Sequence, residues 1–447
     1  MTLARLFSAA DRSLYLVGGT VRDALLERSH VDLDFATDAR PPEIKEIAGT
    51  WAHDVFLAGE NFGTVGVVRD GLVHEITTFR SEVYLDDSRK PRVSFSDDIV
   101  EDLSRRDFTV NALAIRLPVD PEERPEIVDP HGGLADLGSR LLRTPLSAEV
   151  SFGDDPLRML RLYRFVATLG FVPEAATAAA VPAMVTRLEI VSAERIRDEL
   201  SKLLLGDNVA AGLWGLVDSG LAANFIPEIP ELALEQDPIH RHKDVLAHTI
   251  AVVEKVAPVL ERRLAALFHD IGKPRTRAIA AKGVTFHHHE VVGARMTRRR
   301  METLHYSRKQ IRDVSELIYL HMRPHTYRMG WTDSAIRRYV RDAGELLDSL
   351  NDLVRADVTT RNRKRARAIA GRIDELEQRI SELRDREELE ALRPPIDGHE
   401  VMAYLGLEAG PVIGEVMRML TEHRLDIGPY TEEEAYELLD RWQAERG

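Results

Sequence analysis

Cysteine is absent from the 447 residues, which excludes disulfides, thiolate zinc sites and cysteine nucleophiles. No apolar run approaches the roughly 18 residues that span a membrane, and the amphipathic N-terminus lacks a cleavable signal pattern. The expectation is a soluble, cytoplasmic protein with no membrane partner. An excess of positive charge is missing too: 60 basic against 74 acidic side chains leave a net charge of −14, which argues against a nonspecific nucleic-acid coat. A Gly-x-Gly-x-x-Gly dinucleotide fingerprint and a repeat of solenoid type are also lacking. The length suits two to four domains with ample buried cores.

Positive charge is nevertheless concentrated in two places. Arg295 to Lys309 carries Arg295, Arg298, Arg299, Arg300, Arg308 and Lys309 against Glu302 alone. Arg355 to Arg367 carries Arg355, Arg361, Arg363, Lys364, Arg365 and Arg367 against Asp357. Singly, each block reads as a solvated helix face. Two in an acidic chain form a candidate phosphate-binding surface.

Short β-like runs and helices alternate up to about residue 145: Ser13–Val17, Val31–Ala36, Thr64–Arg69, Leu72–Thr77 and Leu113–Leu117 alternate as strands. Beyond that, helical spacing takes over in Arg158–Leu169, Ala193–Leu205, Val209–Ser219, Asp244–Leu267 and Ile311–Leu320. A charged helical stretch, Leu346 to Leu392, is broken by Arg393-Pro-Pro395. A smaller helical unit runs from about 397 to the end, in which Gly398 to Gly406, with Gly410-Pro411 and Gly414, predicts two helices around a tight loop, with no catalytic constellation.

The first chemical centre lies where Asp32 and Asp34 follow a glycine pair and Arg-Asp in Leu16-Val-Gly-Gly-Thr-Val-Arg-Asp23. Residues two apart on a strand share a face, so both carboxylates project together while Leu33 and Phe35 enter the core. Adjacent carboxylates repel unless a hard divalent cation, most naturally Mg²⁺, sits between them. The Val17-Gly18-Gly19 turn leads into an expected helix, Val21 to Leu26, whose backbone N–H groups face an anion. A lone Asp-x-Asp is commonly a solvated strand edge, but the glycines and Arg22-Asp23 favour nucleotidyl chemistry. Glu75, on an alternating strand, offers a third carboxylate. Further on stand Glu101-Asp-Leu-Ser-Arg-Arg-Asp-Phe-Thr-Val-Asn-Ala112 and Gly153-Asp-Asp-Pro-Leu-Arg-Met-Leu-Arg-Leu-Tyr-Arg164. In the latter, Arg158, Arg161 and Arg164 recur on one side of a helix, with Leu157, Leu160 and Phe165 expected opposite.

These blocks, in this order, resemble the class II CCA tRNA nucleotidyltransferase and bacterial poly(A) polymerase family of the DNA polymerase β superfamily, over roughly residues 14 to 230. Ser192-Ala-Glu-Arg-Ile-Arg-Asp-Glu-Leu200 is similar to the family's neck segment. The resemblance implies an α+β fold: a nucleotidyltransferase head with a small mixed sheet (1–145), a helical neck that reads the nucleobase (146–235), an HD metal-binding domain (236–360) and C-terminal helices (361–447). It implies that Asp32, Asp34 and Glu75 are catalytic, with Asp32 and Asp34 holding Mg²⁺. Gly18, Gly19 and Arg22 would hold the triphosphate. Arg105, Arg106, Asp107 and Asn111 would line the nucleotide pocket, with Arg161 and Arg164 beside it. Asp155 and Arg158 would read the incoming base. Cytosine and adenine both present an amino donor beside a ring-nitrogen acceptor, matching a carboxylate beside a guanidinium. Uracil and guanine turn a carbonyl toward the carboxylate, at about 1–3 kcal/mol per unsatisfied group. Glu194 and Glu199 read as positioning the neck helices.

The expected reaction joins CTP and ATP to the 3′ end of tRNA. Poly(A) polymerases of the family carry a doubly basic stretch where this chain has the acidic Ala58-Gly-Glu-Asn-Phe-Gly-Thr-Val-Gly66, which favours CCA addition. The polar Tyr84-Leu-Asp-Asp-Ser-Arg-Lys-Pro-Arg92 is similar to the family's flexible loop, which argues against an enzyme adding C alone. The alternatives are a poly(A) polymerase, a CC- or A-only enzyme, an HD phosphohydrolase with an RNA-binding head, and a noncatalytic RNA-binding protein.

A second centre combines His248, the pair His269-Asp270 in Leu267-Phe-His-Asp-Ile-Gly-Lys-Pro274, and Asp357. A lone helical histidine is usually structural; this set resembles the HD metal-dependent phosphohydrolase domain. His289 and His321 fall where some HD domains supply a second metal's ligands. A divalent transition metal or Mg²⁺ is expected there, able to activate water against a phosphate ester. His240, His242 and His325 carry no assigned role.

Overall fold

The computed structural model describes residues 2–28, 33–56, 63–83, 92–120, 122–234, 244–280, 283–324, 327, 330–358, 363–387 and 393–446. Asp32, His240, His242, His325, and most of the acidic stretch and polar loop noted above lie outside them. The chain forms two compact units, Met1–Pro230 with Thr303–Tyr306, and Glu231–Glu302 with Ser307–Gly447.

The first unit runs α1 (Thr2–Ala9), β1 (Leu14–Val17), α2 (Gly19–Leu25), β2 (Leu33–Thr37), α3 (Pro41–Gly49), β3 (Asp54–Phe56), β4 (Thr64–Arg69) and β5 (Leu72–Thr78). The strands β6 (Arg80–Val83) and β7 (Arg92–Phe95), helix α4 (Ile99–Ser104), and strands β8 (Ala114–Arg116) and β9 (Glu126–Val128) follow. Seven strands make one mixed sheet in the order β3-β4-β5-β2-β1-β8-β9, antiparallel throughout except between β2 and β5. Alternation sends Phe35, Val65, Val67 and Ile76 to one face, where they pack with Phe7 and Ile44 of α1 and α3. Ala36, Val17, Leu103 and Ala114 pack on the other.

His74 of β5 is buried against the rings of Phe35 and Trp51, 6.1 and 5.4 Å away, and burial lowers its pKa. Its neutral form is therefore the folded form. The stability this contributes is complete above the unfolded imidazole value of about 6.5 and is lost as pH falls toward the lowered folded value. Replacing His74 by Phe should shrink the drop in melting temperature between pH 7 and 5; an unchanged drop would place the acid sensitivity elsewhere.

Helices carry the rest of this unit: α5 (Gly133–Ser139), α6 (Ala148–Asp154), α7 (Leu157–Leu169), α8 (Ala175–Met184), α9 (Ala193–Leu204), α10 (Val209–Asp218) and α11 (Ala222–Phe225). The second unit contains α12 (Val245–Lys255), α13 (Leu260–Phe268), α14 (Lys273–Thr276), α15 (His289–Thr303), α16 (Arg308–Leu320), α17 (Asp333–Ala343), α18 (Leu347–Ala356) and the long α19 (Arg363–Glu387). It closes with α20 (Gly398–Leu405), α21 (Pro411–Ile427) and α22 (Glu432–Ala444). None of the described helices is long and apolar enough to cross a membrane.

The architecture agrees with the α+β reading, and two local expectations need correction. The first helix begins at Gly19 and ends at Leu25, rather than spanning Val21 to Leu26. The run Asp244–Leu267 is two helices, because Pro258 has no N–H and forces its predecessor out of helical geometry. The charged stretch Leu346–Leu392 is helical as expected, its described residues forming α18 and α19. The expected two helices around a tight loop at Gly398–Gly414 stand as α20 and α21, and a third helix follows them. The third starts on a reciprocal cap between Thr431 and Glu434, a Thr-x-x-Glu signal legible in the sequence.

Candidate functional site

Strands β2 and β5 run parallel with Asp34 directly opposite Glu75. Aligned residues of neighbouring strands share a face about 4.8 Å apart, so the two carboxylates stand side by side. Asp34 is half-buried and Glu75 exposed, while their sequence neighbours Phe35 and Ile76 enter the core on the other face. Asp34 is further fixed by its backbone N–H, which donates to the Thr20 hydroxyl at 3.2 Å. Two hard oxygen donors in register on one open face fit Mg²⁺.

The glycine turn sits at the end of β1. Gly18 has φ +70°, and a Cβ there would fall 2.6 Å from Arg106 Nη1, so a side chain at 18 would evict the guanidinium from the turn. The Gly18 N–H is spent on the Leu113 carbonyl, leaving less of an anion cradle than the glycine pair suggests. Arg22 is buried: it makes two 2.8 Å bonds to Asp23 and donates to Asn111 Oδ1 at 2.6 Å.

Behind the turn lies a network of buried acids and arginines. Asp102 is fully buried and receives Arg105 at 2.6 Å and Arg106 at 3.0 Å. Burial disfavours its charge, but the two guanidiniums outweigh that and hold its pKa below the usual carboxylate range. Asp107 accepts from Arg161 at 2.6 Å and from the Asn111 amide at 2.9 Å, and against the same burial its pKa is held down. Glu199 of the neck helix α9 contacts Arg161 at 3.1 Å and Arg164 at 2.6 Å. Burial and the neighbouring Arg161 push Arg164 down to about 10.

Phe165 does not lie opposite these arginines as the helical spacing suggested. Arg164, Arg22 and Arg161 stand 3.6, 5.2 and 5.6 Å from its ring centroid. The i, i+4 relation of 161 and 165 brings the ring under the charge, where its face attracts cations. Asp155 and Arg158 lie one turn apart, each with its own partner. Arg195 donates to Asp155 at 2.7 Å, and Arg158 donates to Ser151 Oγ at 2.9 Å and to the Arg105 carbonyl.

The second unit holds the other centre. His248 lies on α12, His289 opens α15, and Asp357 and His321 close α18 and α16. His269 and Asp270 stand in the turn beyond α13 rather than within a helix. Their donor atoms form two sets, His248–His269–Asp357 and Asp270–His289–His321, each with all atoms within 4.8 Å. His269 Nε2 faces His248 Nε2 at 3.3 Å, and His289 Nε2 faces His321 Nε2 at 3.3 Å. The Nδ1–H groups of His269, His289 and His321 donate to the carbonyls of Ala266, Phe286 and Ile318. That fixes the tautomers and leaves lone pairs on Nε2. Converging lone pairs repel unless a cation lies between them, so nitrogen and oxygen donors in this arrangement fit a divalent metal. A Cβ at Gly272 would fall 2.2 Å from the His289 carbonyl, so this glycine lets α15 bring its histidine in.

Asp102, to which the sequence reading assigns no role, belongs to the first site, and Lys273 of the His269-Asp-Ile-Gly-Lys273 stretch belongs to the second. Asp102 precedes Arg105 and Arg106 by three and four residues, the helical pairing interval. Lys273, three beyond Asp270, contacts it at 2.6 Å. Ser151 and Arg195 meet their partners through tertiary structure, and no local spacing marks them.

Residues 14–143 match the family described as Poly A polymerase head domain, 170–232 the probable RNA and SrmB-binding site of polymerase A, and 240–362 the HD domain. The chain is 34% identical over 450 residues to the A-adding tRNA nucleotidyltransferase of Deinococcus radiodurans, covering 96% of this chain and 95% of that one. It is 43% identical over 213 residues to the CCA-adding enzyme of Limosilactobacillus reuteri, covering 47% of this chain and 50% of that one. The solved structure of the Bacillus stearothermophilus CCA-adding enzyme in complex with CTP superposes with TM-score 0.71 at 24% identity, covering 100% of this chain and 97% of that one. At that identity the likeness is one of fold.

Proposed function

The chain belongs to the tRNA nucleotidyltransferase family of CCA-adding enzymes, and we propose that it acts in the cytoplasm, completing tRNA 3′ ends with CCA from CTP and ATP. The observation that carries this reading is the pairing of Asp34 with Glu75 across β2 and β5, beside the Gly18–Arg106 contact. Asp34 and Glu75, with Asp32, would hold Mg²⁺, which supplies charge neutralisation of the triphosphate and a more acidic attacking hydroxyl. Arg106, braced by Asp102, and Arg22, braced by Asp23 and Asn111, orient the phosphates. The RNA 3′-oxygen bonds to the α-phosphorus as its bond to the pyrophosphate breaks. Asp155 accepts from the exocyclic amino group, exchanging Arg195 for the base, while Arg158 donates to the ring nitrogen. The Asp107–Arg161–Glu199 network holds the helix that carries Arg158.

One observation favours a second reading: the relative matched along nearly its whole length is an A-adding enzyme. Incubation with tRNA ending at the position before CCA, and with tRNA ending in CC, separates the two. CCA addition predicts C incorporation on the first and A on the second, with UTP and GTP inert. Incorporation of A alone would establish the second reading.

The HD centre is read as a phosphohydrolase site. Its six donors would hold one or two divalent transition metals or Mg²⁺, supplying an activated water, with Lys273 placing positive charge beside Asp270. Ligand linkage at a hundredfold excess over Kd gives about 3 kcal/mol. Added Mn²⁺ should therefore raise the melting temperature by several degrees, and His269→Ala should abolish the rise. An equal rise in that variant would remove His269 from the ligand set.

A further inference from the structure

Helices α15 and α16 flank a groove of about 280 Å³ lined by Ala294, Arg295, Arg298, Ser315, Glu316 and Tyr319. Arg298 follows His289 by nine residues, which at 3.6 residues per turn places it roughly half a turn round the helix. The groove therefore faces away from the metal donors and is not their substrate cleft. Arg295 and Arg298 are exposed, and among the described residues no side-chain hydrogen bond or ion pair engages them. They belong to a helix with four arginines against two glutamates, in a chain whose net charge is −14. Tyr319 exposes 42% of its surface there. Ser315, one turn before it, is 4% exposed, and its buried hydroxyl has no partner.

We propose that this groove is a second RNA site, taking one unpaired nucleotide of the tRNA with its flanking phosphates on Arg295 and Arg298. Side chains three apart on a helix have Cβ atoms roughly 5–6 Å apart, so the two guanidiniums contact successive phosphates of one strand. The Tyr319 ring, with Ala294 beside it, forms a face on which a base stacks without sequence preference. Ser315 and Glu316 offer a hydroxyl and a carboxylate to a base edge or to a ribose 2′-hydroxyl, the latter being the contact by which RNA is told from DNA. The volume lies at the small end of ligand pockets and suits a single nucleotide, not a duplex. An acidic peptide would meet Glu316 and leave the aromatic face unused.

The proposal takes tRNA as the substrate from the reading above. The test is anisotropy of the full chain with a tRNA transcript lacking its CCA end, titrated between 50 and 200 mM salt, beside steady-state incorporation. Two lost phosphate contacts at roughly 0.7–0.9 each should lower the slope of log affinity against log salt by about 1.4–1.8 in Arg295→Ala/Arg298→Ala, and affinity should fall about tenfold. Tyr319→Leu, which keeps the groove apolar, should weaken binding about fivefold or more with the slope unchanged. In both variants KM for tRNA should rise while kcat at saturation stays at the wild-type value. Wild-type affinity and slope in the double variant would overturn the proposal, as would displacement of polyglutamate but not of tRNA from the groove. A wild-type protein that binds tRNA through these arginines yet incorporates no nucleotide would defeat the transferase reading alone.

Discussion

Asp34→Asn lowers nucleotide incorporation by about 10³-fold or more, leaving tRNA affinity and melting temperature at wild-type values. The substitution removes one negative charge and little volume. Strand β2 is held in the sheet by backbone bonds on both sides and by Phe35 in the core, so the fold does not depend on the carboxylate. Charge stabilisation at such a site supplies several kcal/mol in the transition state, and each 1.36 kcal/mol is about tenfold in rate. Glu75→Gln should cost less, about 10²-fold, because the exposed Glu75 is displaced by solvent more readily than the half-buried Asp34. The pair is measured by single-turnover incorporation at saturating nucleotide. Retention of more than about a tenth of wild-type rate by Asp34→Asn would remove it from the reaction.

Asp102→Ala is expected to destabilise the first unit by about 3–5 kcal/mol, the cost of breaking a buried ion pair and leaving a partner uncompensated. The carboxylate is 1% exposed and two guanidiniums, 16% and 19% exposed, converge on it. Because Arg106 also lies against Gly18, the variant should raise KM for the nucleotide. Replacing all three members with apolar residues (Asp102→Leu, Arg105→Met, Arg106→Met) should restore much of the stability, since a packed apolar cluster often matches a buried ion network, without restoring nucleotide affinity. Chemical denaturation and nucleotide KM separate the two roles. A single variant as stable as wild type would show that the arginines find other partners.

Much of the head is legible in the sequence because its signals are local. The β-like runs Thr64–Arg69 and Leu72–Thr77 match those strands to within a residue, and a two-residue period accounts for the positions of Asp34 and Glu75. The parallel register that sets them opposite one another does not follow, since pairing between distant strands leaves no local mark. Helix breaks were missed at Pro258, where a continuous apolar pattern masked the stop. The position of Phe165 was misjudged because a ring beneath three arginines has the polarity pattern of an exposed helix face. Asp102 carries no role in the sequence reading, although its spacing from Arg105 and Arg106 is helical. Arg195 and Ser151 depend on tertiary packing between α9, α6 and α7, and no reading of local pattern reaches them. The six donors of the second centre carry recognisable neighbours, but their division into two sets of three is a property of the folded chain.

The most direct measurement is a crystal structure of the protein soaked with Mg²⁺ and a CTP analogue whose α–β bridge cannot be cleaved. Density for the triphosphate is expected between the Gly18 turn and the face bearing Asp34 and Glu75, with metal on those carboxylates and the cytosine amino group on Asp155. Nucleotide bound only in the second unit, at the histidine cluster, with the β2–β5 face bare, would contradict that expectation.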